Sequence, residues 1–347
     1  MRRVLFRCDS GAATGMGHLM RSLALARQFA ARGAAIAFVC RDLPGALLTL
    51  PEQTGYALHV LAGDDDDAEA DAEETREFAR RWQADLVVVD HYGLDARWEV
   101  ALRQTVGRLL AIDDLADRPH ACDWLLDQND CSPSAQRYER WVPEACQLLL
   151  GPRFALVQPE FRAARTRCAP RDGQLRRVVM FFSGSDEGNE TAKALQGLAT
   201  LENTGWEVDV VIGAAHPDPS GIEVACQSLG WGFHQQTPYM ADLLSVADLS
   251  VGSAGSASWE RCLLGVPALV VELADNQREV IAALTERGCA RSLGKARDVT
   301  ADTYAEGLRA LDADALRSMS RAAWGCVDGR GAARVVDAVN ETMDRCA

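Results

Sequence analysis

Residues Arg7 to Arg21, RCDSGAATGMGHLMR, constrain the fold of this chain more than any other stretch. Met1 to Cys8 reads as a short apolar strand, Leu19 to Arg32 repeats Leu, Met and Ala at helical spacing, and the turn between them carries Gly11, Gly15 and Gly17. A strand that passes through a glycine-rich turn into a helix makes an anion site. Glycine lets backbone N–H groups approach an oxyanion, and the free N–H groups and dipole of a helix start favour negative charge. His18 stands where the helix begins, and an imidazole beside an anion can move a proton near neutral pH. The GxGxxG spacing of dinucleotide sites is not matched, so a structural turn capped by a histidine is the other reading.

The pattern then repeats. Ala34 to Cys40 and Tyr56 to Leu61 read as strands, and Asp64 to Asp67 is an acidic run leading into a charged helix, Asp71 to Trp82. Consecutive aspartates fit a solvated helix start better than a metal site. Asp85 to Asp90 (DLVVVD) lacks polar alternation, as expected of a parallel strand covered on both faces. It delivers His91, Tyr92 and Gly93 to its carboxyl end, and the strand Leu109 to Ile112 delivers Asp113 and Asp114 to the same edge, where open parallel sheets bind ligands. Short strands at Trp124 to Leu126 and Gln147 to Leu150 complete this half.

Composition shifts between Gly151 and Gln174, where prolines and arginines replace large apolar residues. The expected domains are therefore 1–155, a linker at 156–174, and 175–328, with the helix of 329–347 returning to the first domain through Val335, Val336, Val339 and Met343. The second half has its own strand, small-residue turn and helix at Arg176 to Leu201, with further strands at Glu207 to Ile212, Gly232 to Gln235, Leu249 to Val251 and Pro267 to Val271. Gly252 to Glu260 (GSAGSASWE) brings backbone amides and the hydroxyls of Ser256 and Ser258 to one concavity suited to phosphate. Glu260, one turn into the next helix, can accept from both hydroxyls of a ribose, or can simply answer the helix dipole. Asp275, Asn276 and Gln277 suit a polyhydroxy or amide-bearing ligand, with N-capping by Asp275 as the alternative.

The 347 residues fit two domains of common size, and 48% hydrophobic with 25% charged residues is a globular profile. A net charge of -14 argues against nucleic acid as partner. No signal or membrane-spanning run is read, so a cytoplasmic protein is expected. The 11 cysteines lack any CxxC pair, which indicates neither a disulfide framework nor a zinc site and makes most of them small buried hydrophobes.

Motifs along nearly the whole chain carry a resemblance. They are GMGHLMR (Gly15 to Arg21), DHYGLD (Asp90 to Asp95), IDDLADRPH (Ile112 to His120), DQN (Asp127 to Asn129), LLGPRFAL (Leu149 to Leu156), FSGSDEGN (Phe182 to Asn189), SWERC (Ser258 to Cys262) and ADNQ (Ala274 to Gln277). The chain resembles the UDP-sugar hydrolases of the pseudaminic acid pathway, within a group that includes spore-coat polysaccharide proteins. The resemblance implies an α/β protein of two Rossmann-like, doubly wound domains arranged as in the glycosyltransferase-B fold. It implies metal-independent, cofactor-free release of UDP from a 2,4-diacetamido-2,4,6-trideoxy-β-L-altrose, with inversion, to supply a free sugar for nonulosonic acid and surface polysaccharide synthesis. His18, Tyr92 and Asn276 would be catalytic. Gly15, Gly17, Arg21, Gly184, Ser185, Ser256, Ser258, Glu260, Asp275 and Gln277 would bind substrate, and no residue would hold metal. Two turns depart from the family pattern, Ser183-Gly184-Ser185-Asp186 and Ala254-Gly255-Ser256-Ala257, but with small residues. A glycosyltransferase with a non-water acceptor is the alternative, and a sensor without chemistry would not need His18.

Overall fold

The computed structural model describes residues 1–11, 15–62, 67–129, 135–201 and 205–345. It divides into two compact units, Met1–Gln158 with Arg330–Ala347, and Pro159–Gly329.

In the first unit, β1 (Arg3–Cys8), β2 (Ala35–Arg41), β3 (Ala57–Leu61), β4 (Leu86–Asp90), β5 (Arg108–Ile112), β6 (Trp124–Asp127) and β7 (Gln147–Leu150) form one sheet. Its order is β3-β2-β1-β4-β5-β6-β7 and every pairing is parallel. All five residues of β4 are buried, as its unbroken apolar run requires. One face packs Leu19, Leu23 and Phe29 of the helix Gly17–Ala31 and Val335, Val336 and Val339 of the helix Gly331–Arg345. The other face packs Trp98, Leu102 and Tyr138. The last helix can return here because Gly331 has no side chain: a Cβ would lie 2.2 Å from the Ala155 carbonyl.

The second unit winds the same way. β8 (Arg177–Phe181), β9 (Glu207–Ile212), β10 (Gly232–Gln235), β11 (Leu249–Ser253), β12 (Ala268–Glu272) and β13 (Ala290–Lys295) are ordered β10-β9-β8-β11-β12-β13, again all parallel. β13 carries no clear strand signal in the sequence, because an edge strand is half-exposed and its ARSLGK alternates with few apolar residues.

Three readings are modified. The segment 156–174, read as a linker, contains the helix Pro159–Arg165, which buries Phe161 and Ala164 in the second unit. Arg165 donates to the carbonyls of Leu263, Val327 (3.0 Å) and Trp324 (3.2 Å), so an arginine of the segment read as a linker is an internal clamp. Of the acidic run, Asp64 to Asp66 lie outside the described residues, and Asp67 caps the helix Ala68–Trp82 by accepting from the Glu69 and Ala70 amides. The cysteines are not all isolated: the sulfurs of Cys262, Cys289 and Cys326 lie within 4.8 Å of one another. No CxxC spacing announces this, since the three come from separate elements.

Candidate active site

The strand order of the first unit reverses between β1 and β4, so the loops leaving these two strands diverge and open a crevice at their carboxyl ends. The glycine turn fills one side. Gly15 adopts a left-handed φ of 75° and pairs with Gly11 through both backbone hydrogen bonds, 2.8 and 3.3 Å. Gly17 then starts a helix whose N-cap, Met16, offers no side-chain bond and whose first turn has no acidic residue.

His18 is only 5% exposed, and its Nδ1 lies 2.5 Å from Asp90 Oδ1. An ionised carboxylate only accepts, so Nδ1 turns its proton to Asp90, and in the neutral ring Nε2 is the acceptor; Arg21 Nη2 also lies 3.2 Å from Nδ1. Nε2 makes no hydrogen bond to the described residues. Tyr92 sets its ring edge-to-face on the imidazole at 4.5 Å and 82°. Burial raises the Asp90 carboxyl, but Arg21 and His18 more than offset it and hold the group well below the usual carboxylate range. Arg21 gives Nε and Nη2 to Asp90 at 2.6 Å each and Nη1 to Asp114 at 2.8 Å. The guanidinium is thus engaged within the protein and braces the partner of His18.

The neighbouring candidates have structural work. His91 accepts from the Gly93 amide at Nδ1 (3.0 Å) and turns Nε2 toward Asp9 (3.4 Å). Asp9 in turn is held by Arg7 (2.6 and 2.8 Å) and by the Arg41 amide (2.8 Å), and Arg7 also reaches Asp71. Arg7 lies on β1 and Asp9 just beyond its end, two residues on. Asp71, the first residue read into the charged helix, is 2% exposed and also accepts from Trp98 Nε1 (2.8 Å). Asp113 is occupied by Arg118 (2.7 Å), the Ala116 amide (2.9 Å) and Tyr138.

In the second unit the order reverses between β8 and β11, and the two expected turns follow those strands. They meet through backbone. A Cβ on Gly252 would fall 1.8 Å from the Phe181 carbonyl, and one on Gly213 would fall 2.0 Å from the Gly184 carbonyl, so glycine is obligatory at both close approaches. Ser253 donates its hydroxyl to the Phe182 carbonyl and ties the turns together. Gly184 and Ser185 are half-buried, and Asp186 beyond them caps the next helix through the Glu190 and Thr191 amides. Ser256 is exposed at the head of the helix Ala257–Leu263. Ser258 is not: it is 1% exposed and accepts from Arg261 at 2.9 Å, which corrects its reading as a residue lining the concavity. Glu260 is half-buried, and its carboxyl has no hydrogen-bond partner among the described residues. Burial, with Glu160 nearby, pushes it up to about 8 against the opposing pull of Arg261. In the ADNQ turn, Asp275 and Asn276 are exposed, Asp275 pairs with Arg278 (2.6 Å) without capping a helix, and Gln277 accepts from the Leu273 amide (3.1 Å). Gln277 thus shapes the turn as much as it faces outward.

Over 160 residues the chain is 31% identical to a UDP-2,4-diacetamido-2,4,6-trideoxy-beta-L-altropyranose hydrolase of Campylobacter jejuni, covering 46% of this chain and 53% of that protein. The family resemblance of the motifs is borne out. The chain is also 24% identical over 199 residues to the spore coat polysaccharide biosynthesis protein SpsG of Bacillus subtilis, covering 56% and 58% of the two chains. These matches span just over half the length of the curated relatives. No family model matches. Among solved structures, the calicheamicin glycosyltransferase CalG4 superposes with a TM-score of 0.62 at 17% identity, covering 100% of this chain and 99% of that one. The fold is that of the glycosyltransferase-B group. No helix among the described residues is long and apolar enough to cross a membrane.

Proposed function

We propose that this chain processes nucleotide sugars, and that it is a hydrolase which releases UDP from a 2,4-diacetamido-2,4,6-trideoxy sugar. The observation that carries the chemistry is the buried His18–Asp90 pair at the start of a helix, with Nε2 making no hydrogen bond among the described residues. Asp90 fixes the tautomer and would stabilise the imidazolium that forms when His18 takes a proton from water. That water attacks the anomeric carbon opposite the leaving diphosphate, so the sugar inverts. Tyr92, packed on His18, orients the sugar. The amides of the glycine turn meet oxyanion charge, and the second unit holds UDP through the turns at Gly184–Ser185 and Gly255–Ser256, with Glu260 on the ribose. The similarity to the Campylobacter jejuni hydrolase supports the substrate class, and the motif from Gly15 to Arg21 supports the placement of His18. Release of the free sugar for surface polysaccharide synthesis follows from this reading.

The solved glycosyltransferase of like fold favours a second reading, transfer to a sugar or lipid acceptor. Free UDP is followed from the UDP-sugar with and without acceptors, and the sugar anomer is read by NMR. Hydrolysis predicts stoichiometric UDP and free inverted sugar without acceptor. His18→Asn should lower turnover by about 10²–10⁴-fold while UDP affinity stays intact. Turnover that appears only with an acceptor overturns the hydrolase. A His18→Asn variant with normal turnover and poor UDP binding makes His18 a phosphate anchor.

A further inference from the structure

We propose that Cys262, Cys289 and Cys326 form a three-thiolate site for a thiophilic d10 divalent cation, with zinc as its physiological occupant. The site is separate from the chemistry assigned to His18. Cys262 lies in the helix Ala257–Leu263, Cys289 immediately precedes β13, and Cys326 ends the helix Ala313–Cys326. Three elements remote in sequence therefore deliver one sulfur each to a common point.

The spacing suits a metal better than a disulfide. With Zn–S bonds of about 2.3 Å, a trigonal or tetrahedral centre sets its sulfurs roughly 3.8–4.0 Å apart. All three separations are already within 4.8 Å, so each must close by less than about 1 Å. A disulfide would need one pair to close to about 2.05 Å and would leave the third thiol over. Cys262 and Cys289 are buried and Cys326 is half-buried, so two ligands are shielded while the third faces a path for the ion and for a water as fourth ligand.

Charge is consistent. Arg287, two residues before Cys289, brings a positive charge to the cluster. On binding, each ligand still protonated gives its proton to solvent, three sulfur–metal bonds form, and no electron changes hands. The resulting Zn(S)₃ unit carries a single negative charge near Arg287. A monovalent soft cation would leave two. Soft thiolates select against magnesium and calcium.

The test uses the reduced full chain, with Zn²⁺ in a competition titration against a chromophoric chelator and Cd²⁺ as a spectroscopic probe. One equivalent of Cd²⁺ should give a thiolate-to-metal charge-transfer band. Cys326→Ser and Cys289→Ser should each weaken Zn²⁺ by about a hundredfold or more, beyond the effect of losing an outer-shell partner. Cys146→Ser, outside the cluster, should leave both signals unchanged. Because a variant at Cys289 can fail to fold, alkylation of the unmodified chain provides a second readout: Zn²⁺ should protect Cys326 from iodoacetamide. Absence of the Cd²⁺ band, its persistence at equal strength in Cys326→Ser, or alkylation of Cys326 at the same rate with and without Zn²⁺ overturns the site.

Discussion

Replacing Asp90 by asparagine probes the His18 mechanism without removing the base. In the native protein Oδ1 accepts from His18 Nδ1 (2.5 Å) and Arg21 Nη2 (2.6 Å), and Oδ2 accepts from Arg21 Nε (2.6 Å) and Ser22 (3.4 Å). An amide has one accepting oxygen for these two sets of donors. If its NH₂ takes the Oδ1 position it donates to His18, and the imidazole must switch tautomer and protonate Nε2. If it takes the Oδ2 position it confronts Arg21 Nε, and His18 keeps its tautomer but loses the carboxylate that stabilises its protonated form. Both arrangements harm a general base. The comparable change in a Ser-His-Asp hydrolase costs about 10⁴-fold, and general-base loss about 10²–10⁴-fold, so kcat should fall by two to four decades, about 2.7–5.4 kcal/mol of barrier. Breaking one side of a buried ion pair costs about 3–5 kcal/mol, and the low end applies because Arg21 keeps Asp114. The assay is the rate of UDP release under saturating UDP-sugar, with circular dichroism to confirm folding and calorimetry for UDP. UDP affinity should not change, since the nucleotide is assigned to the second unit. A folded Asp90→Asn protein with kcat within about threefold of wild type, under about 0.7 kcal/mol, refutes the pair as the catalytic device.

Measured above pH 8, where its carboxylate is ionised, Glu260→Ala should weaken UDP binding by about 1.5–3 kcal/mol, the scale of a charged hydrogen bond, and unchanged affinity by calorimetry removes Glu260 from the ribose. The same residue sets a pH dependence: its folded pKa of about 8 lies above its ordinary value of 4.5, so its contribution to stability is full below pH 4.5 and is lost as pH rises to about 8. The Tm advantage of Glu260→Gln over wild type should therefore grow across that window, and a difference independent of pH would contradict the burial of the charge. Turnover should be unaffected by added magnesium or manganese, because the diphosphate is met by backbone amides in this mechanism. A gain in kcat on adding either ion would count against it.

Much of the fold was legible in the residues because the signals are local. Unbroken apolar runs such as Leu86–Asp90 mark parallel strands, and the glycines between Cys8 and Leu19 mark a turn. The same local logic placed His18 at a helix start and drew attention to Tyr92 and Glu260. Partnership was not legible. Asp90 lies 72 residues from His18, and only the order of β1 beside β4 puts the two together. Arg21 shows the consequence, since its position in the motif suggests a ligand while the fold commits it to Asp90 and Asp114. Ser258 shows another: each residue turns a helix by about 100°, so of two serines two positions apart, Ser256 faces out and Ser258 faces Arg261. The meeting of Cys262, Cys289 and Cys326 depends on three elements docking at once, which no spacing along the chain encodes. Sequence determines which elements form and what chemistry they carry, because backbone preference and side-chain period act over a few residues. Tertiary structure alone decides which charges and sulfurs meet, because such contacts are fixed by packing between elements far apart in the chain.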